Sequence, residues 1–199
     1  MRKVRKFGEQ FAMSADRTTA AKFVKNHHKQ PPGMHGATRM FKKHTGYGLQ
    51  LAEKQKARIF YHIMEKQLRG YYTEAKRQTG SASDNLLRVL ESRLDNVLYR
   101  AGLANSHPQA RQFIAHKQFA VNGRVSSVPS MLVKSGDIIT FVGATKLKDI
   151  IKDLAANNSP VPWLKADANT LTITVVDLPT RGEIEVPFVE QLIIEFYSR

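Results

Sequence analysis

The apolar residues of this chain change their spacing partway along it, and that change limits the possible folds more than any other feature. From Leu49 to Ile114 they recur at helical intervals, and at Phe119 they begin to alternate as in a strand. Phe60, Ile63, Met64, Leu68 and Tyr71 follow three- and four-residue steps, which predicts one helix from Leu49 to about Lys76. Leu87, Leu90, Leu94, Val97 and Leu98 predict a second helix. Ser83 or Asp84 can cap its start, and Gly102 suits the left-handed position just past its end. A third helix opens at Ser106, where Gln109 completes a capping box and Pro108 falls in the tolerant first turn. Ala110, Phe113 and Ile114 share one face of it, while Arg111, Gln112, Ala115 and His116 project from the other. Phe119 to Val125 then alternates about Asn122-Gly123, a pair whose tolerance of left-handed backbone favours a tight hairpin. After the turn at Ser135-Gly136-Asp137, Ile138 to Val142 reads as another strand. Helices leading into a small antiparallel sheet make the fold class α+β.

Downstream, Leu147, Ile150, Ile151 and Leu154 predict a short amphipathic helix, and Leu171 to Val176 a strand. Pro179 to Gly182 breaks the chain before a last helix over Val189 to Tyr197, whose apolar residues must pack on something. Upstream, residues 1–46 lack a sustained hydrophobic period and are rich in Lys, Arg, His and Gly, so they read as a basic extended arm, with a short helix possible only around Arg17 to Lys25.

The formal net charge is +14, and it is uneven. Residues 1–80 hold 18 Lys and Arg against 5 Asp and Glu, whereas residues 144–199 hold 6 against 8. So much like charge in one region opposes folding unless a polyanion usually supplies the counter-charge, which points to nucleic acid. An anionic membrane fits less well, because the cations lie among His, Gly and Pro and not on a helix with a strongly apolar back. No run of 18 apolar residues offers a transmembrane helix, and the start of the chain lacks a signal-peptide core.

The sequence contains no cysteine, so disulfides, thiolate zinc sites and cysteine nucleophiles are excluded. His27, His28, His35 and His44 are close in sequence, but no pair has metal-ligand spacing on a predicted helix, so no metal or other cofactor is expected. Gly46-Tyr47-Gly48 is too short for a dinucleotide fingerprint, and no catalytic triad or carboxylate pair can be placed. An enzyme acting on a small-molecule substrate is therefore not expected.

Arg93-Leu94-Asp95-Asn96-Val97, Ala110-Arg111-Gln112, His116-Lys117, Val121-Asn122-Gly123-Arg124, Pro129-Ser130 and Ser135-Gly136-Asp137-Ile138 resemble the RNA-binding module named after small-subunit ribosomal protein four. That module also occurs in RNA-modifying enzymes. The flanks distinguish the cases: Pro32-Gly33-Met34-His35-Gly36, Tyr47-Gly48-Leu49-Gln50-Leu51, Glu53-Lys54-Gln55-Lys56, Tyr71-Tyr72, Pro162-Trp163-Leu164 and Leu192 to Arg199 are similar to the bacterial ribosomal family itself. The resemblance implies a primary binder of small-subunit ribosomal RNA that nucleates assembly of the 5′ domain. It also implies a place at the messenger RNA entrance channel beside small-subunit proteins three and five, a role in decoding accuracy, and a cytoplasmic location, with an organellar ribosome left open. By this resemblance residues 47–90 and 180–199 form a helical domain completed by the C-terminal segment, and residues 91–179 form the inserted two-helix and antiparallel-sheet module with its extension.

The resemblance and the charge together assign RNA contacts. Lys54, Lys56, Arg58 and Arg69 are expected to meet phosphates from the long helix; Arg111, Gln112, His116, Lys117 and Arg124 do so from the module. Arg93 fits either an RNA contact or an ion pair with Asp95 that orients the helices. Arg2, Lys3, Arg5, Lys6, Lys29 and His35 are assigned to RNA, the cations on charge alone, and Arg39, Lys42 and Lys43 are expected to face messenger RNA. His107 stands where the family usually has Arg, so a charged contact becomes a titratable one. Tyr71, Tyr72 and Tyr99 are read as packing residues rather than base-stacking ones.

Overall fold

The structure is a computed structural model that describes residues 2–15, 17–25, 30–36 and 45–199, with the backbone alone at Arg2, Lys3, Gln10, Ser14 and Lys146. It divides into two compact units, Met1–Leu86 with Glu185–Arg199, and Leu87–Ile184.

The first unit is helical. Where the sequence suggests an extended arm there are three short helices, α1 (Arg2–Arg5), α2 (Glu9–Ser14) and α3 (Arg17–Val24), of which α3 falls on the short helix read around Arg17 to Lys25. They form because Val4, Phe11, Ala12 and Phe23 bury together, a set too sparse to show a period in the sequence. The Phe7 ring packs edge-on against Phe11 at 5.4 Å. Helix α4 (Gly46–Phe60) starts at Thr45, whose hydroxyl accepts from the Gly48 N–H at 3.2 Å. The helix expected from Leu49 to Lys76 is in fact two. His62 sits at φ 51°, and the N–H groups of His62 and Ile63 donate to Ile59 and Arg58 carbonyls, a Schellman motif that ends α4. No Gly or Pro announces that break. Helix α5 (Glu65–Arg77) restarts in a new phase, so Leu68, Tyr72 and Ala75 are buried while Met64 is exposed. Its end is held by the buried Asn85 amide, which donates to the carbonyls of Ala75, Gln78 and Thr79. The last helix, α10 (Glu190–Ser198), packs along α4, giving the apolar C-terminus its partner.

The second unit begins within α6 (Ala82–Glu91), which is followed by α7 (Leu94–Arg100). The sequence period predicts a single helix here, and the structure has two. Arg93 leaves helical geometry at ψ 138°, because the segment after Pro129 supplies the carbonyls that the first turn of α7 lacks. Leu94 and Asp95 N–H groups donate to Met131 and Pro129 at 2.8 and 3.1 Å, and Arg93 bridges to Leu132. At the far end of α7, Gly102 lies at φ 84°, with Gly102 and Leu103 N–H groups closing onto Tyr99 and Leu98, as its position predicts. Helix α8 (His107–Ala115) follows, with Ser106 as its N-cap.

Five antiparallel strands, β1 (Phe119–Val121), β2 (Arg124–Val125), β3 (Ile138–Phe141), β4 (Leu164–Asp167) and β5 (Thr172–Val175), form one sheet in the order β2-β1-β3-β5-β4. Asn122 and Gly123 make the β1–β2 turn with φ of 49° and 77°. Helix α9 (Thr145–Ala156) lies between β3 and β4 in sequence. The core joins Leu94, Leu98 and Ile114 from the helices to Phe119, Ile139, Ile173 and Val175 from the sheet, with Ile151 and Trp163 added by the later segments. Strand β4 escaped the sequence because only Leu164 and Ala166 face inward in Leu-Lys-Ala-Asp, too little apolar character to mark it. The class is α+β as expected.

Candidate nucleic-acid interface

In the first unit, the cations of α4 are mostly spoken for. The Lys54 side chain is only 8% exposed; its Nζ donates to Glu65 Oε1 at 2.8 Å and lies 4.2 Å from the Phe196 ring centroid. Lys56 Nζ donates to Glu53 Oε1 at 2.6 Å, and Glu53 Oε2 accepts the Val189 N–H at 2.9 Å. Arg58 pairs with Glu65 at 3.3 Å and donates to Gln55. These contacts correct the phosphate role assigned to Lys54: the ammonium ties α4 to α5 and α10. Lys56 and Arg58 are half-buried and committed to carboxylates. The signal for this was in the sequence, since Glu53 and Glu65 are the acidic residues among these cations, but their pairing depends on the fold.

Burial pushes the Glu65 carboxyl up, but hydrogen bonds from Lys54 and Tyr197, and the charges of Lys54 and Arg58, outweigh it and hold the group below its usual value. The Tyr197 hydroxyl, donating to Glu65 at 2.7 Å, is pushed well above the usual phenol value by burial and by that carboxylate.

Arg69, by contrast, is exposed on α5. The same helix exposes Lys66, Lys76 and Arg77, which lie outside the expected RNA contacts. Their signal was the helical wheel: Lys66 and Arg77 lie opposite Leu68, Tyr72 and Ala75. Of the N-terminal cations, Lys6 is exposed, and Arg5 donates from Nε and Nη2 to the Gln30 carbonyl at 3.1 and 2.7 Å. His35 is exposed. Lys29, Arg39, Lys42 and Lys43 lie outside the described residues, and the side chains of Arg2 and Lys3 do as well.

In the second unit the candidates separate into exposed and buried sets. Arg111, Gln112, His116 and Lys117 are all exposed along the outer face and end of α8, brought together by its helical spacing. Lys117 occupies the left-handed position after that helix at φ 57°; the N–H groups of Lys117 and Gln118 donate to Ile114 and Phe113. Gly would fill this position with less strain, and here it is filled by a cation. Arg124 is exposed on β2, away from α8 in sequence.

Arg93 belongs to the other set. It is 1% exposed, and its guanidinium makes two parallel bonds to Asp95, with Nε donating to Oδ1 at 3.0 Å. Of the two roles open to it, the ion pair is the one observed, which corrects its assignment to RNA. His107 is likewise buried: Nε2 donates to Asn96 Oδ1 at 2.9 Å, and the ring stacks on Tyr99 at 4.3 Å. Asn96 in turn donates to the buried Glu91 carboxylate, which also receives Arg100 at 2.9 and 2.7 Å. The imidazole at this position is packed into the interior of the module. Tyr72 and Tyr99 are buried, as their reading as packing residues requires.

Chemically, the exposed groups are hydrogen-bond donors and fixed positive charges at a helix face and end. Such groups grip phosphate and sugar oxygens. No helix among the described residues is long and apolar enough to cross a membrane.

Residues 1–91 match the family described as ribosomal protein S4/S9 N-terminal domain, and residues 92–139 match the S4 domain. The small ribosomal subunit protein uS4 of Desulfitobacterium hafniense is 44% identical over 199 residues, which cover 98% of this chain and 94% of that protein. The protein of the same name from Pelotomaculum thermopropionicum is 45% identical over 198 residues, with the same coverage of 98% and 94%. That of Acidothermus cellulolyticus is 49% identical over 174 residues, covering 85% of this chain and 82% of its own. On these grounds the chain belongs to the small ribosomal subunit protein uS4 family, a family of structural proteins and not of enzymes.

Proposed function

We propose that the protein is a structural constituent of the small ribosomal subunit that binds its ribosomal RNA directly and early, nucleating assembly of the 5′ domain. The observation that carries this reading is the exposed set Arg111, Gln112, His116 and Lys117 on α8 of the S4 domain. Arginine offers a fork of donors suited to phosphate, and the neighbouring amide and imidazole can reach 2′-hydroxyls and bases exposed at an RNA junction. Arg124, Arg69, Lys6 and His35 extend the contact from their own exposed positions. Arg39, Lys42 and Lys43 serve the messenger RNA entrance channel, with small-subunit proteins three and five as neighbours and decoding accuracy as the consequence. The setting is the cytoplasmic ribosome.

Purified protein should protect a 5′-domain fragment of small-subunit ribosomal RNA from hydroxyl-radical cleavage in moderate salt. Affinity should fall steeply as salt rises, since each neutralised phosphate releases counterions. Absence of protection would refute direct binding.

A further inference from the structure

Just past β3, Gly143 is a glycine that packing requires. Its φ lies outside the left-handed region, so no turn demands it. A Cβ built there would instead run into Gln118 Oε1 and stand 2.7 and 2.8 Å from two ring carbons of Phe141. The space left by the missing side chain is occupied by the Gln118 amide.

Gln118 stands between α8 and β1. The Val142 N–H donates to its carbonyl at 2.9 Å, and beside it the Phe119 and Phe141 rings meet edge-on at 5.5 Å. These contacts seat its backbone on the end of β3. Its Nε2 donates to the His116 carbonyl at 2.8 Å, so Oε1 is the amide atom lodged against Gly143. That oxygen is buried with no hydrogen-bond partner among the described residues, which opposes folding. The other end of the amide supplies a reason for it. A bond from the side chain of residue 118 to the carbonyl of residue 116 closes a ring across Lys117, the residue held at φ 57°. The Lys117 and Gln118 N–H groups that close α8 permit this conformation, but for a lysine it carries a strain that glycine would not.

We propose that Gln118 and Gly143 form a clasp that holds Lys117 in its left-handed conformation and thereby sets the direction in which its ammonium meets an RNA phosphate. Neither residue touches RNA; both are positioning residues that act through Lys117. Without the clasp, Lys117 relaxes toward ordinary backbone geometry and its side chain leaves the end of α8 in another direction. The inference rests on the ribosomal RNA reading above and adds to it what fixes the geometry of one contact.

The test uses the full chain and the 5′-domain RNA fragment. Gln118→Ala should weaken binding about two- to tenfold, the range of a single hydrogen bond, and lower the slope of log affinity against log salt by up to about one. In the free protein it should speed hydrogen exchange at the Lys117 amide by a similar factor. Gly143→Ala, which expels the amide, should give the same loss of binding. The two together should lose no more than Gln118→Ala alone, because each breaks the same clasp. In a Lys117→Gln background, Gln118→Ala should leave affinity and slope where they are, whereas a purely structural amide would lower affinity equally in both backgrounds. Wild-type affinity and slope in Gln118→Ala would overturn the proposal, and so would additive losses in the double variant or an equal loss once Lys117 is replaced. Where the Phe141 ring keeps Gly143→Ala from folding, Gln118→Ala, which only makes room, decides the matter with Lys117→Gln. Failure of the unaltered protein to bind the fragment removes the ribosomal RNA reading and this inference with it. Binding by the unaltered protein beside equal binding by Gln118→Ala removes only the clasp.

Discussion

Helices α4 and α8 carry similar cationic residues and use them in opposite ways. On α4, Lys54, Lys56 and Arg58 turn onto Glu53 and Glu65, and their charge is spent inside the helical unit. On α8, Arg111 and its neighbours have no carboxylate within reach among the described residues and face solvent. The difference lies in what each helix must be joined to. Helix α4 has to hold α5 and α10, which bring Glu65, Glu195 and the Val189 N–H to it, so polar side chains serve as fasteners. Helix α8 is fastened by Ala110 and Ile114 in an apolar core, which frees its polar face. Local cation density therefore leaves an accessible positive surface only where carboxylates are not folded against it.

The largest effect should come from the buried pair of the S4 domain. Arg93→Ala strands the Asp95 carboxylate in the interior and should cost about 3–5 kcal/mol in urea unfolding. A loss below 1 kcal/mol, on the order of a surface pair, would return Arg93 to the candidates for RNA contact. Next, a crossed pair of variants separates the two helices. Arg111→Ala should weaken fragment binding by roughly 1–3 kcal/mol with unfolding unchanged, whereas Lys54→Ala should cost about 1–2 kcal/mol of stability with binding nearly intact. Equal effects of the two on RNA affinity would break the contrast between α4 and α8.

A smaller effect concerns acid. The Glu65 carboxyl is held below its usual 4.5, so the folded state favours its ionised form. The stabilisation it supplies is therefore complete above the unfolded-state value and is lost as pH falls through the lowered folded-state one. Glu65→Gln should flatten that part of the stability–pH curve, and an unchanged slope would show that the Lys54 and Tyr197 contacts are too solvated to matter. Smallest of all, Lys117→Gly should stabilise the fold by about 0.5–1 kcal/mol by relieving a left-handed lysine, while binding weakens. Improved stability without loss of RNA affinity would make Lys117 a tolerated accident of sequence.

Much of the second unit was legible because its signals are local. Ser106 caps α8, Gly102 closes α7 and Asn122-Gly123 turns the hairpin, each by its own backbone or side-chain preference. The two helix breaks were not legible, because neither is caused by the residues at the break. His62 takes a left-handed turn without being glycine, and Arg93 uncoils because carbonyls some 36 to 38 residues further on replace the helical ones. The candidate site was readable to the same extent. Arg111, Gln112, His116 and Lys117 follow from helical phase, whereas the withdrawal of Lys54 and Arg93 depends on Glu65, Phe196 and Asp95 being folded against them.

The discontinuity of the helical unit has a consequence in time. Translation proceeds from the amino end, so α4 and α5 are synthesised long before α10, and residues 87–184 come between. Glu53 must wait for the Val189 N–H, Gln50 for Glu195, and Glu65 for the Tyr197 hydroxyl. The core of the second unit, among the described residues, is drawn from residues 94–175. The first unit to be translated is thus the last to receive all its parts, because three of its polar contacts wait for residues 189–197.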